Sequence, residues 1–162
     1  MASRTSNLSL VLVVILALSA CSASDAAGGS SSSPGGAIEL AVSETCADTA
    51  DPECVAVNGQ SVLLPSAFEL AEVEDATVTE AGGQNAVGVT FTKDGAEVFH
   101  TLTEKAAQDG SSARLVIKIG DEMRVAVSVP EAMTGDQVQI MLSPDQNAQE
   151  VVDLIHGAGA EG

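Results

Sequence analysis

The sequence predicts an α+β domain in which antiparallel strands and two helices pack around an aliphatic core. Three observations carry that prediction. Short segments with apolar residues at every second position recur along the chain, and turn signals join several of them. Two longer segments hold apolar residues at helical spacing, each preceded by a capping residue. Hydrophobic residues make up 45% of the 162 residues and are mostly Ala, Val and Leu, enough for one packed core.

Taken in order, residues 38–42 (IELAV) form a first strand with apolar residues at 38, 40 and 42. Residues 55–57 (VAV) and 62–64 (VLL) flank Asn58-Gly59, the strongest short-range hairpin signal in the chain. The acid-rich stretch 68–76, apolar at 68, 70 and 73, is read as a short helix. Residues 86–92 (AVGVTFT) alternate again and place Val87, Val89 and Phe91 on one face. Thr92 then caps a helix running to about Gln108, with Ala96, Phe99, Leu102, Thr103 and Ala106 on one stripe and Gly110 near its end. Residues 114–119 and 123–129 form a hairpin around Gly120-Asp121-Glu122, the second strand carrying Val125, Val127 and Val129 on one face. A further strand at 137–142 points Val138, Ile140 and Leu142 inward. Ser143-Pro144-Asp145-Gln146 has the arrangement of a capping box and starts the last helix, whose stripe is Ala148, Val151, Val152 and Ile155.

The first twenty residues are an export address. Residues 8–18 (LSLVLVVILAL) are an apolar run of eleven, well short of the roughly 20 needed to span a bilayer. The run ends in Leu18-Ser19-Ala20-Cys21, which resembles the bacterial lipobox. That resemblance implies cleavage before Cys21, lipidation of its thiol and attachment to the extracytoplasmic side of the cell membrane through two or more acyl chains such as palmitate. The alternative is an ordinary export signal cut after Ala20. Removing residues 1–20 deletes one Arg and no acid, which takes the charge from −17 to −18 on 142 residues. Residues 21–36, the lipidated Cys followed by SASDAAGGSSSSPGG, read as a flexible tether. The fold then occupies residues 37–156, and residues 157–162 (GAGAEG) form a flexible tail.

Charge and composition exclude several function classes. Six Lys and Arg against 23 Asp and Glu cannot neutralise a row of phosphates, so nucleic acid is not a partner. A polybasic grip on anionic lipid is excluded on the same ground. With no Trp, no Tyr and three Phe, there is no stacking platform for bases.

From residue 87 onward the chain resembles the head subdomain in the first extracytoplasmic domain of SecD, a membrane-embedded subunit of the bacterial protein-export machinery. The resemblance rests on Val89-Thr90-Phe91-Thr92 leading into a helix with Phe99 and Leu102-Thr103, then Leu115-Val116-Ile117, Ser128, Pro130, Thr134-Gly135, Ile140 and the closing helix 151–155. Ile38-Glu39-Leu40 is similar to the family's opening strand. Gly120-Asp121-Glu122 departs from the family's Asp-Gly turn, and Gly135-Asp136 stands where Gly-Gly is usual. SecD's base region, its six membrane spans and their proton-carrying acids have no counterpart here, so a proton-driven motor is not expected. The resemblance implies a ferredoxin-like fold and a tethered, SecD-head-like protein-interaction module, accessory to protein export, that binds unfolded exported polypeptide or translocon components. The residues themselves leave open an envelope binding module for another protein or a small ligand, unrelated to export.

Candidate chemistry is sparse. Cys46 and Cys54 bracket a polar loop in an exported chain, where a structural disulfide is the default; the rival is a redox pair, whose usual Cys-x-x-Cys spacing they lack. Asp48, Asp51 and Glu53 in that loop offer carboxylates to Ca²⁺ but lack the Gly and distal Glu of an EF-hand, and a solvated acidic loop is the preferred reading. Two Cys and two distant His do not make a zinc site. His100 and His156 fall on helices with no nucleophile motif nearby, and both read as surface or capping residues. No catalytic residue, metal site or cofactor is expected.

Overall fold

A computed structural model describes residues 35–47 and 51–158. The elements are β1 (Gly36–Glu44), β2 (Cys54–Val57), β3 (Gln60–Leu63), β4 (Glu69–Ala81), β5 (Gln84–Phe91), α1 (Lys93–Asp109), β6 (Ala113–Ile119), β7 (Glu122–Val127), β8 (Gln137–Met141) and α2 (Ala148–Ala158). Six strands pair antiparallel in the order β7-β6-β1-β4-β5-β8, and β2 and β3 form a separate hairpin. The α+β class is the one expected. Strands β1 and β5 both run antiparallel to β4, while β6 runs antiparallel to β1. Strand β5 therefore ends, and β6 begins, at the same end of the sheet. The helix that joins them lies across the strands, packed on β4, β1 and β6.

Alternation in the strands divides the sheet into two differently covered faces. Ile38, Leu40, Val73, Val87, Val89, Phe91, Leu115, Ile117 and Ile119 share one cluster with Phe99, Leu102, Val151, Val152 and Ile155 of the two helices. This is the main core, and the rings of Phe91 and Phe99 stack in it with centroids 5.1 Å apart. On the other face the hairpin covers β6 and β7, with Val57 and Val62 on Val116 and Ala126. Beside this second cluster, Lys118 Nζ lies 2.6 Å from Glu39 Oε2 and 5.4 Å from the centroid of the Phe68 ring.

The local signals that proved accurate are those with short-range physics. Asn58 and Gly59 occupy the two loop positions of the β2–β3 hairpin at φ 45° and 76°, as a two-residue turn of the type I′ kind requires. Thr92 caps α1, its hydroxyl accepting from the Gly95 N–H at 3.1 Å, and Gly110 ends it.

Four expectations are corrected. Residues 68–76 are not helical; they belong largely to β4, which continues to Ala81 and turns through Gly82-Gly83 into β5. A bulge between Val73 and Asp75 shifts the phase of that strand, and Leu70 points out of the main core at 58% exposure, so its apolar residues do not alternate cleanly. The last helix begins at Ala148, not at Ser143. Ser143-Pro144-Asp145-Gln146 does make its reciprocal contact, the Ser143 N–H donating to Gln146 Oε1 at 3.0 Å, but as a turn; Asn147 caps the helix, its Oδ1 accepting from the Gln149 N–H at 2.9 Å. The fold also begins earlier than the boundary at 37, because Gly36 pairs with Val73 inside β1. At the other end α2 continues through Ala158, into residues read as tail.

Candidate functional site

The sheet order gives the molecule two open edges, β7 and β8. Each carries an outer row of backbone N–H and C=O groups without a sheet partner among the described residues, the arrangement that accepts an added strand. The sheet curls enough that both edges border one apolar cavity of about 120 Å³. Val127 and Val129 line it from the β7 side, Val138 and Ile140 from β8, and Phe99 and Ile117 from the main core. Val127 and Met133 are 40% and 44% exposed at its mouth. Val127 shares the face of Val125 and Val129, as expected, since it pairs with Leu115 as Val125 pairs with Ile117; Val125 and Val129 are buried while Val127, the last residue of β7, stands at the rim.

The loop between the two edges is held by a buried hydroxyl and by the Asp136 carbonyl, which accepts the Phe91 N–H at 2.7 Å. Thr103 on α1 is fully buried, donates to the His100 carbonyl at 2.9 Å and accepts the Met133 N–H at 3.1 Å. That bond fixes the approach of the 130–136 segment to the cavity.

Cys46 and Cys54 are joined as a disulfide, with Cα atoms 6.0 Å apart. The bridge ties the chain just beyond β1 to the first residue of β2 and so holds the hairpin over the second cluster. Cys21, the signal segment and the tether up to residue 34 lie outside the described residues, as do Asp48 and residues 159–162. In the acidic loop, Asp51 Oδ1 accepts the Glu53 N–H at 3.0 Å, a local turn contact. His100 and His156 are both exposed. Among the described residues no group of three or more His, Cys, Asp or Glu is placed to hold a metal ion.

Charge is distributed unevenly. Of the Lys and Arg among the described residues, Lys118 pairs with Glu39 and Arg124 with Glu122, while Arg114 donates to the Ser111 and Ala113 carbonyls. Most carboxylates therefore face solvent without a cationic partner, and the surface carries a broad negative potential. The β7 segment is legible in the sequence as a strand, and its position at an edge of the sheet follows from the long-range pairing that sets strand order. The cavity is not legible there, because its walls come from residues up to about 40 positions apart in the chain.

No family model matches the chain, and no curated protein matches it in sequence. Among solved structures, one described as the structure and function of "a membrane component SecDF that enhances protein export" is similar with a TM-score of 0.53 at 18% identity, over 76% of this chain and 63% of that one. A second, SecDF in a "Super-membrane-facing form", gives 0.48 at 17% identity, over 79% of this chain and 19% of that one. The chain thus spans less than two thirds of either. At 18% identity the first likeness is one of fold alone: the chain has a SecD-head-like fold.

Proposed function

We propose that this chain is a lipoprotein, anchored through Cys21 on the extracytoplasmic side of the cell membrane, whose SecD-head-like domain binds extended polypeptide and serves protein export as an accessory. The observation that carries this reading is the open β7 edge beside an apolar cavity. Main-chain hydrogen bonds at the edge attract any extended segment, and the cavity receives one apolar side chain of it. The fold likeness to SecDF supports the export context. The domain binds and releases; it turns over no small molecule. Its acidic surface favours basic or unfolded partners through an attraction that salt screens, since the Debye length falls from roughly 10 Å at 0.1 M to about 3 Å at 1 M.

Site-specific photocrosslinking in cells tests the reading. A photoreactive residue at Val127 is expected to capture unfolded exported polypeptide or translocon components, whereas one at the exposed Gln149 of α2 captures neither. No polypeptide captured at Val127, together with a soluble metabolite that raises the melting temperature, would replace this reading with an envelope module for a small ligand.

A further inference from the structure

The second open edge, β8, differs in chemistry from the rest of the surface. Its five residues, Gln137–Met141, carry no charge in a chain whose net charge is −17. Natural edge strands are kept from pairing by charged residues, prolines and bulges, and β8 has none of the three. Two backbone bonds fix which groups it presents. The Phe91 N–H donates to the Asp136 carbonyl at 2.7 Å, and the Leu142 N–H donates to the Asn85 carbonyl at 3.1 Å. Every second residue of an antiparallel strand turns both its backbone groups toward the same neighbour, so Val138 and Ile140 bond to β5. Gln137, Gln139 and Met141 therefore turn their N–H and C=O groups to the open side, and all three are exposed. Those groups have no hydrogen-bond partner among the described residues. Behind them in the sheet lie Thr90, Gly88 and Ala86, so the neighbouring row is uncharged as well.

We propose that β8 pairs with β8 of a second copy of this chain, antiparallel and about a two-fold axis, joining the two six-stranded sheets into one. Gln139 is the middle residue of the strand, and a register that sets it opposite itself pairs all five residues. Val138 then faces Ile140 of the second copy on the side of the main core, and Gln137 faces Met141. Every outward N–H and C=O of the strand gains a partner in this register, whereas an axis at Val138 or Ile140 leaves an end residue unpaired. Charge decides the occupant. Two copies that each carry −17 repel over most of their surface and approach only across an uncharged patch, which β8 and its neighbours supply. Asp136 lies beyond the paired segment, opposite Leu142, so no two acids meet across the axis. A basic polypeptide, the partner proposed for β7, finds no carboxylate on the five residues of β8. One strand pair about 17 Å long is a smaller contact than the roughly 1,200 Å² of stable interfaces, so the dimer is weak and reversible. The inference goes beyond the polypeptide reading and does not depend on it, since it leaves β7 open.

Energy transfer between donor- and acceptor-labelled copies of the full chain, titrated in detergent micelles, tests this. Transfer is expected to rise with protein concentration. Because residue 139 faces itself, a charge of either sign there meets its like. Q139K and Q139E are therefore each expected to raise the dimer dissociation constant about twofold to fivefold at low salt. A Q139K donor mixed with a Q139E acceptor is expected to recover the transfer of the unaltered chain. Gln139 is exposed and its N–H is not used within β5–β8 pairing, so both variants are expected to keep their melting temperature. Absence of concentration-dependent transfer overturns the proposal. Weakening by one sign of charge alone, or no recovery in the mixed pair, also overturns it, because a strand that does not face itself behaves in that way. Transfer that neither charge alters puts the contact elsewhere and overturns β8 as its site.

Discussion

The hydroxyl of Thr103 has two partners and no contact with water, so its removal has a computable consequence. Thr103→Val keeps the shape of the side chain but leaves the Met133 N–H without its acceptor. An unsatisfied buried donor costs about 1–3 kcal/mol, so chemical denaturation is expected to show a loss of that size. Thr103→Ser, which retains the hydroxyl, is expected to lose less. The position of Thr103 on the apolar stripe of a helix was visible in the sequence, because it depends on spacing alone. Its bond to Met133 was not, because the two residues are joined only by the path of the chain between β6 and β8. Gly95 makes a related point about backbone approach. A Cβ there would collide with the backbone of Glu72, so α1 sits directly on β4 only because residue 95 has no side chain. Gly95→Ala is expected to destabilise by about 1–3 kcal/mol, the usual cost of overpacking, and denaturant titration reads it directly.

Elements differ in how much of them local chemistry decides. Helix α2 is the clearest case, because two caps compete in the sequence for its start. Asn147 accepts from the N–H groups of Gln149 and Glu150, and Asn147→Ala is expected to cost about 1 kcal/mol. Ser143→Ala should cost less, because the turn's bond to Gln146 comes from the Ser143 backbone N–H, which the substitution keeps, and the lost hydroxyl donates only to Asn58 Oδ1 at an exposed position. Equal losses in thermal unfolding would place the helix start at Ser143 after all. The hairpin β2–β3 and helix α1 were legible for the same reason that Asn147 was not: Asn58-Gly59 and Thr92 have no nearby competitor for their roles. Strand β4 was illegible because its bulge breaks period-two alternation and its exposed Leu70 imitates a helical stripe. At the candidate site, β7 and β8 could be read as strands, yet their being edges follows from pairings that no local pattern encodes. The disulfide belongs to this scale as well, since it fastens one element, the hairpin, to the end of β1. Closing so short a loop contributes roughly 2–3 kcal/mol. Intact mass after reduction is expected to rise by two hydrogens with two thiols then alkylated, and two free thiols before reduction would remove the bridge.

For the whole molecule, weak contacts at the proposed β7 binding edge would become useful through confinement. A net charge of −17 with few compensating cations makes each individual contact salt-sensitive and modest. A module held at the membrane by a lipid meets polypeptide emerging there at an effective concentration that a freely diffusing copy does not reach. Two or more acyl chains at roughly 0.8 kcal/mol per buried CH₂ hold it stably, while a single chain gives only reversible binding. The proposed anchor and the proposed binding surface are therefore separable by one substitution. Cys21→Ala is expected to move the protein from the detergent phase to the aqueous phase in phase partitioning. In cells the same variant is expected to lose most of the polypeptide captured at Val127, while its affinity for an unfolded peptide in solution stays at the wild-type value. If Cys21→Ala still partitions into detergent, the lipidation reading falls. If it becomes soluble yet captures polypeptide as well as the wild type does, confinement is not what makes the weak edge effective, and the binding surface must be stronger than its exposed area and scattered charge suggest.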